Sequence, residues 1–259
     1  MLYFVDSHIH LSDRIYDEHL KLMVDTINNS KIQVYSVSVN LQSSARNIEI
    51  KQKYFFNSEL FKIFVGIHPE YATLNRLESF NDFLSSNIEN IHGIGEIGLD
   101  PTYTHNNDSN TIDTQKIVFN QMLNIAEKNR KPISIHSRKS LKDVMDVLPS
   151  YQIKKAVFHW YDGSKKNLRK INDLGYYVSF GPYILYSEDK KILLKETDPS
   201  LLLLETDGPV SYKRCFENVI TSPTFIISII NFISTLLHKK FSDIMETIFK
   251  NSVNFLNYT

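Results

Sequence analysis

Asp6-Ser7-His8-Ile9-His10 follows directly on an apolar run, residues 2–5, near the start of the chain. If that run is a strand, residues two apart point to the same side. His8 and His10 then aim their imidazoles at one point just past the strand's end. Imidazole suits zinc and other first-row divalent metals. A His-x-His pair alone is more often two polar loop residues, so its meaning depends on what the rest of the chain brings to the same place.

Apolar runs rich in β-branched and aromatic residues recur at 34–39, 63–66, 93–97, 132–135, 156–158, 176–180 and 201–204. Most are apolar throughout, as expected of parallel strands covered on both faces. The segments between them read as helices. Leu20, Met23, Val24 and Ile27 form one helical stripe, and Leu141, Val144, Met145 and Leu148 repeat its spacing. Ser164 reads as an N-cap and Gly175 as the stop of the same helix. Ser222-Pro223 places a cap before a proline at the first helical position. A last helix is expected over 243–256.

Eight strands alternating with helices predict an α/β fold, a single TIM (β/α)8 barrel rather than a doubly wound sheet. No linker, low-complexity tract or composition break divides the chain, so one domain is expected over 1–259. Residues 101–111, polar and Asn-rich, read as an insertion above the barrel that could act as a lid.

An apolar fraction of 42% and a charged fraction of 22% are those of an ordinary soluble globular protein. Net charge is zero, so no global basic field marks a nucleic-acid binder, and any polynucleotide contact must come from a local patch. One cysteine, Cys215, excludes an intramolecular disulfide and fits a reducing compartment. No local pattern supplies it with an activating base. The N-terminus lacks a basic leader, and Asp6 cuts its apolar run too early for a signal peptide. Residues 225–237 are apolar but shorter than a membrane span, and are interrupted by serines and Asn231. The expectation is a cytoplasmic protein with no membrane partner, its oligomeric state left open.

Parallel barrels build their sites where strand C-termini feed the βα loops. Five of nine histidines fall there: His8, His10, His68, His136 and His159. His19, His92, His105 and His238 lie on helices, at a strand entrance or in loops. Glu96 and Asp207 each interrupt a strongly apolar strand end, where an unpaired charge costs several kcal/mol. Glu96 could pair with Arg138, and Asp207 could cap a loop. A divalent metal compensates both more simply. Four histidines and two carboxylates exceed one tetrahedral site and suit two metals sharing a bridging carboxylate and water.

At this point the chain resembles the TatD-family metal-dependent deoxyribonucleases of the amidohydrolase superfamily. The matching stretches are Asp6-Ser7-His8-Ile9-His10, Gly66-Ile67-His68-Pro69, Gly95-Glu96-Ile97-Gly98-Leu99-Asp100, Ile135-His136-Ser137-Arg138, His159 with Gly163, and Leu204-Glu205-Thr206-Asp207-Gly208-Pro209. They come in the family's order and cover nearly the whole chain. The resemblance implies a TIM barrel, two divalent metal ions (Mg, Mn or Zn) and phosphodiester hydrolysis, commonly at DNA 3′ ends. By motif, His8 and His10 would hold one metal with Asp207. His136 and His159 would hold the second, with Glu96 bridging, and His68 and Arg138 would face the substrate phosphate. Some superfamily relatives bridge with a carboxylated lysine, but Lys131 and Lys155 sit at strand entrances, the wrong end.

Two departures touch the substrate surface. The usual His-Cys-Phe-Ser-Gly reads His159-Trp160-Tyr161-Asp162-Gly163, and the Arg-Asn-Glu-Pro element after Asp207 is absent. Trp160 and Tyr161 could stack on unpaired bases or pack in the core. Lys139, Lys165, Lys166, Arg169, Lys213 and Arg214 could form a basic rim or solvated helix faces. The expected function is a divalent-metal-dependent nuclease on DNA, of 3′–5′ exonuclease type, acting on single-stranded or frayed 3′ ends. A metal-bound water would attack phosphorus, and Asp207 and Glu96 would be its catalytic carboxylates. The alternative is a metal-dependent hydrolase of an ester, amide, lactone or aminoacyl-tRNA bond.

Overall fold

A computed structural model describes residues 3–104 and 109–258. Eight parallel strands follow one another in sheet order as in sequence. They are β1 (Phe4–Ile9), β2 (Ile32–Val37), β3 (Phe61–Val65), β4 (Gly93–Gly98), β5 (Ile133–His136), β6 (Ala156–Phe158), β7 (Tyr177–Phe180) and β8 (Leu202–Leu204). Between them lie α1 (Leu20–Ser30), α2 (Leu41–Tyr54), α3 (Leu74–Asn87), α4 (Ile112–Lys128), α5 (Leu141–Val147), α6 (Lys165–Asp173) and α7 (Glu188–Glu196). Two helices, α8 (Phe225–Leu237) and α9 (Phe241–Leu256), follow the last strand. This is the expected (β/α)8 TIM barrel. Strands β2, β3, β4 and β7 are buried at every position, which is why they read as mostly apolar runs, with Gln33, Lys62, Glu96 and Ser179 among the buried polar exceptions.

Local chemistry sets the helix ends. Ser164 does cap α6, accepting from the Asn167 amide, and Gly175 follows the helix with φ +75°. Met23, Val24 and Ile27 bury the stripe of α1. The Ser222-Pro223 expectation is corrected in position: α8 begins at Phe225 rather than at Pro223, and Ser222 Oγ accepts from the Thr224 amide at 3.4 Å in the turn that leads into the helix. Helix α9 begins at Phe241, two residues before the expected start. Of the expected lid, Pro101–Tyr103 form a 3-10 turn; His105 and the other residues of 105–108 lie outside the described residues. No helix among the described residues is long and apolar enough to cross a membrane.

The seam between β8 and β1 decides the shape of the site. Here β1 runs further than expected, through Asp6, Ser7 and His8 to Ile9, with a register shift against β2 between Asp6 and Ile9. Such polar residues fit a buried strand because the seam satisfies them. Asp6 accepts from the Thr206 amide at 2.9 Å and the Thr206 hydroxyl at 2.5 Å, and Ser7 donates to Leu204 O at 2.9 Å. Above them the Asp207 amide donates to His8 O at 2.8 Å and the His10 amide to Gly208 O at 2.7 Å. Side chains thus replace part of the ladder and bring His8, His10 and Asp207 onto one rim.

Asp6→Ala would leave the Thr206 amide and hydroxyl buried without partners. A loss of about 1–3 kcal/mol in urea unfolding is expected. An unchanged midpoint would mean the seam does not depend on this carboxyl.

Candidate metal centre

All five rim histidines and both expected carboxylates come together; the other described histidines do not. His19 lies in a 3-10 turn, His92 at the entrance to β4, and His238 caps α8. At the centre is Glu96, on β4 and 2% exposed. Its Oε2 lies 3.4 Å from Nε2 of both His8 and His10. Its Oε1 lies 2.8 Å from His136 Nδ1, 2.8 Å from His159 Nε2 and 3.5 Å from His68 Nε2. Asp207 Oδ1 stands 3.4 Å from His10 Nε2 and 3.6 Å from His8 Nε2. The expected Glu96–Arg138 alternative is not made: Arg138 is exposed and lines the cavity outside. Gly98 makes the approach of β4 to β5 possible, since it has φ +150° and a Cβ there would fall 1.9 Å from His136 O.

Three acidic residues that stand in the quoted motifs, but were given no role from sequence, complete the arrangement. Asp100 Oδ2 takes His136 Nε2–H at 2.9 Å. Glu205 accepts the Trp160 amide at 2.7 Å and the Ser179 hydroxyl at 2.5 Å, leaving its Oε1 3.8 Å from His159 Nδ1. Asp6 holds the seam. Their signal in the sequence is a further carboxylate within four positions of His8, Glu96 and Asp207 in otherwise apolar surroundings. Which hydrogen bonds each makes depends on residues up to 200 positions away.

The donor chemistry tests whether a cation fits. His10 Nδ1 lies 2.9 Å from Val37 O, a pure acceptor, so it carries the ring proton. His136 Nε2 is likewise committed to Asp100. In the neutral rings His10 Nε2 and His136 Nδ1 are therefore lone pairs, and both point at carboxylate oxygens. His8 Nε2 is 3.3 Å from His10 Nε2. Acceptors facing acceptors in a buried place need a proton or a cation between them. His68 differs: its Nδ1 accepts from the Glu70 amide at 3.2 Å, which leaves the Nε2 proton aimed into the cluster. Two triads, His8–His10–Asp207 and His68–Glu96–His136, each present atoms within 4.8 Å of one another, as does His8–His159–Glu205. Divalent metals fit these residues.

The charges agree. Burial holds His8 down to about 4 and His68 to about 3, so both rings are neutral, and His68 turns its Nε2 proton rather than a lone pair into the cluster. Burial presses His10 the same way, but Asp207 and Glu96 outweigh it and push it up to about 9. His136 is raised, against burial, by Asp100 and Glu96, and His159 well above its usual value by Glu96. Burial alone would raise Glu96; the imidazoles around it, His159 first, hold it well below the usual carboxylate range. Asp207 has φ +47° and Trp160 φ +44°, conformations that cost a bulky L residue on the order of 1–3 kcal/mol and cluster at functional sites.

A cavity of about 810 Å³ opens beside the cluster, lined by His136, Arg138, Lys139, His159, Trp160 and Asp207 among others. Tyr161 is not on it: the ring is buried, and its hydroxyl donates to Ser164 O at 2.8 Å. Lys165 and Arg169 are paired with Glu196, each at 3.1 Å, so they form a solvated helix face rather than a basic rim. Lys131 donates to Ile91 O at the far end of the strands, away from Glu96.

A family model described as TatD related DNase matches residues 5–257. A protein of Buchnera aphidicola (subsp. Baizongia pistaciae), named an uncharacterized metal-dependent hydrolase, is 26% identical, with 91% of this chain and 89% of that one covered. Human deoxyribonuclease TATDN3 is 25% identical over 79% of this chain and 77% of its own. The crystal structure of a TatD-family hydrolase from Entamoeba histolytica superposes with a TM-score of 0.86 at 21% identity, covering 100% of this chain and 99% of that one.

Because carboxylates hold protons on His10 and its neighbours, a cation entering the cluster must displace them. Calorimetric titration with Mn²⁺ or Zn²⁺ near pH 7, in buffers of different ionisation enthalpy, should show roughly one proton or more released per chain. Tight binding without proton release would contradict this arrangement of lone pairs.

Proposed function

The chain belongs to the TatD family of metal-dependent hydrolases, and on that premise we propose that it is a phosphodiester hydrolase acting on DNA, a nuclease of 3′–5′ exonuclease type with a two-metal site. The observation that carries the two-metal reading is the division of Glu96. One carboxylate oxygen faces His8 and His10, the other His136 and His159, so a single bridging group serves two ligand sets. Relatives named deoxyribonucleases, the human one among them, support DNA as the substrate class. Single-stranded or frayed 3′ ends suit a cleft of this size in a chain without net positive charge. The reading takes residues 1–259 as one domain.

Two divalent cations, when bound, lower the pKa of a coordinated water toward neutrality and draw charge from phosphoryl oxygens. The protein's own groups do the rest. Asp207 lies at the border between cluster and cavity, where its carboxylate can orient the attacking water and take its proton. The His10 and His8 Nε2 atoms, 3.4 and 3.6 Å from Asp207 Oδ1, position that carboxylate at the rim. Glu96 stays ionised and inward, a ligand rather than the proton acceptor. His68 turns its Nε2 proton into the cluster, 3.3 Å from His136 Nδ1. Arg138 is solvent-exposed on the cavity wall and makes no ion pair among the described residues. Its planar fork matches two phosphoryl oxygens, whereas a lone carbonyl oxygen would engage only one N–H.

The test is cleavage of labelled single-stranded and duplex oligonucleotides with Mg²⁺, Mn²⁺ or Zn²⁺, beside a simple ester and a lactone. Asp207→Asn should lower kcat on the order of 10²-fold or more while substrate binding is largely retained. Activity within a few-fold of wild type would remove Asp207 from the mechanism.

Arg138→Lys keeps the charge and loses the fork. It should cost about 1.5–3 kcal/mol in kcat/KM on oligonucleotides, similarly for all base sequences. Unaltered oligonucleotide cleavage in this variant, or turnover of the ester alone by wild type, would replace the nuclease reading with hydrolysis of a carbonyl bond.

A further inference from the structure

We propose that Trp160 is a specificity-determining residue, its indole, packed against Tyr183 and Tyr212, forming a shelf on which an unpaired nucleobase stacks beside the metal centre. The proposal rests on the nuclease reading and adds to it the part of the substrate that is selected.

Four observations converge on the shelf. Trp160 follows His159 directly and lines the same cavity as Arg138 and Asp207, so a base held there belongs to a nucleotide whose phosphate reaches the cluster. The indole is held by two neighbouring rings. The Tyr212 ring lies 5.6 Å away at 14°, the Tyr183 ring 4.7 Å away at 36°, and both tyrosines are buried. The Tyr212 hydroxyl is itself anchored on Thr206 O at 2.6 Å. The main chain is locked as well: with φ +44°, the Trp160 amide donates to Glu205, a fully buried carboxylate whose other oxygen holds Ser179. Glu205 is thus a positioning residue for the shelf.

The fourth observation separates a shelf from plain core packing. A tryptophan buried for packing usually places its N–H against an acceptor. Trp160 is only partly buried, and its indole N–H has no protein partner among the described residues. Neighbouring Tyr161 is the contrast, buried with its hydroxyl satisfied. The ligand that fits a rigid, half-open aromatic surface beside a phosphate-directed arginine is a nucleotide with a free base face. Every base has such a face, so the shelf tolerates sequence. A paired base inside a duplex has its faces covered by its neighbours, so the shelf selects single strands and frayed ends.

Trp160 is the only tryptophan in the chain, so indole emission, excited at wavelengths that tyrosine does not absorb, is a report from the shelf. The probes are a thymidine hexamer and an abasic hexamer with the same number of phosphates, each titrated into wild type with and without Mg²⁺. Cleavage of both is then measured for wild type, Trp160→Ala and Trp160→Phe. Quenching is expected from the thymidine hexamer and not from the abasic one. Trp160→Ala should lose roughly 5–150-fold in kcat/KM on the thymidine hexamer, the range of base stacking by alanine substitution, and little on the abasic one. Trp160→Phe should recover most of that loss. Equal quenching by both probes, or an equal loss on both in Trp160→Ala, would overturn the shelf. Cleavage by wild type without base-dependent quenching sinks the shelf and leaves the nuclease reading standing. Base-dependent quenching without cleavage does the reverse, keeping a nucleobase site in a protein that is not a nuclease.

Discussion

A carboxylate buried among imidazoles organises this protein. Glu96 is almost completely shielded from water, where an isolated charge would cost several kcal/mol. Five histidines converge on its two oxygens, and two of those rings are oriented by pure acceptors so that their lone pairs face it. Such a cluster balances only with positive charge inside it. In the metal-free protein protons supply that charge, which is why His10, His136 and His159 are all driven upward. The same geometry that makes those protons tight makes the site ready for divalent cations.

The barrel exists around this constraint in a literal sense. All eight strands or their C-terminal ends contribute to the rim or to the groups that orient it, and the contributions interlock. Val37 O at the end of β2 sets the His10 ring, Ser134 on β5 contacts His8 Nδ1, and Ser179 on β7 holds Glu205. The β8–β1 seam is closed by Asp6, Ser7 and Thr206 rather than by a regular ladder. That irregularity carries His8 within the strand and His10 just past it, while Asp207, whose amide donates to His8 O, sits beside them in a left-handed conformation. Polar groups in a seam of this kind exchange ladder hydrogen bonds for positioning, and the backbone cost at Asp207 and Trp160 is spent at the mouth where chemistry would occur.

The wall of the cavity shows how two residues of similar type diverge. Trp160 and Tyr161 are adjacent aromatics, and nothing in their sequence separates one role from the other. In the fold Tyr161 turns inward onto Ser164, while Trp160 stays at the surface against Tyr183 and Tyr212. The basic residues behave likewise: Lys165 and Arg169 share an ion pair with Glu196 on α7, whereas Arg138 is left open at the mouth.

What the sequence determined by itself was whatever depends on neighbours along the chain. Eight apolar runs separated by helical stripes fix a parallel α/β barrel, because strands buried on both faces and helices buried on one leave different periodicities. Ser164 and Gly175 mark the ends of α6 for a reason that is local, a hydroxyl on an amide and a residue free to take positive φ. The rim histidines with Glu96 and Asp207 were legible because strand ends of a parallel barrel share one face. The tertiary structure decided what depends on partners far away in the chain. The extension of β1 through Asp6-Ser7-His8 required Leu204 and Thr206, some 200 residues on. Asp100, Glu205 and the His68 ring acquired their roles only from the atoms facing them, since a hydrogen bond is directional and a few ångströms long. No pattern along the chain encodes which acceptor a given ring nitrogen will meet.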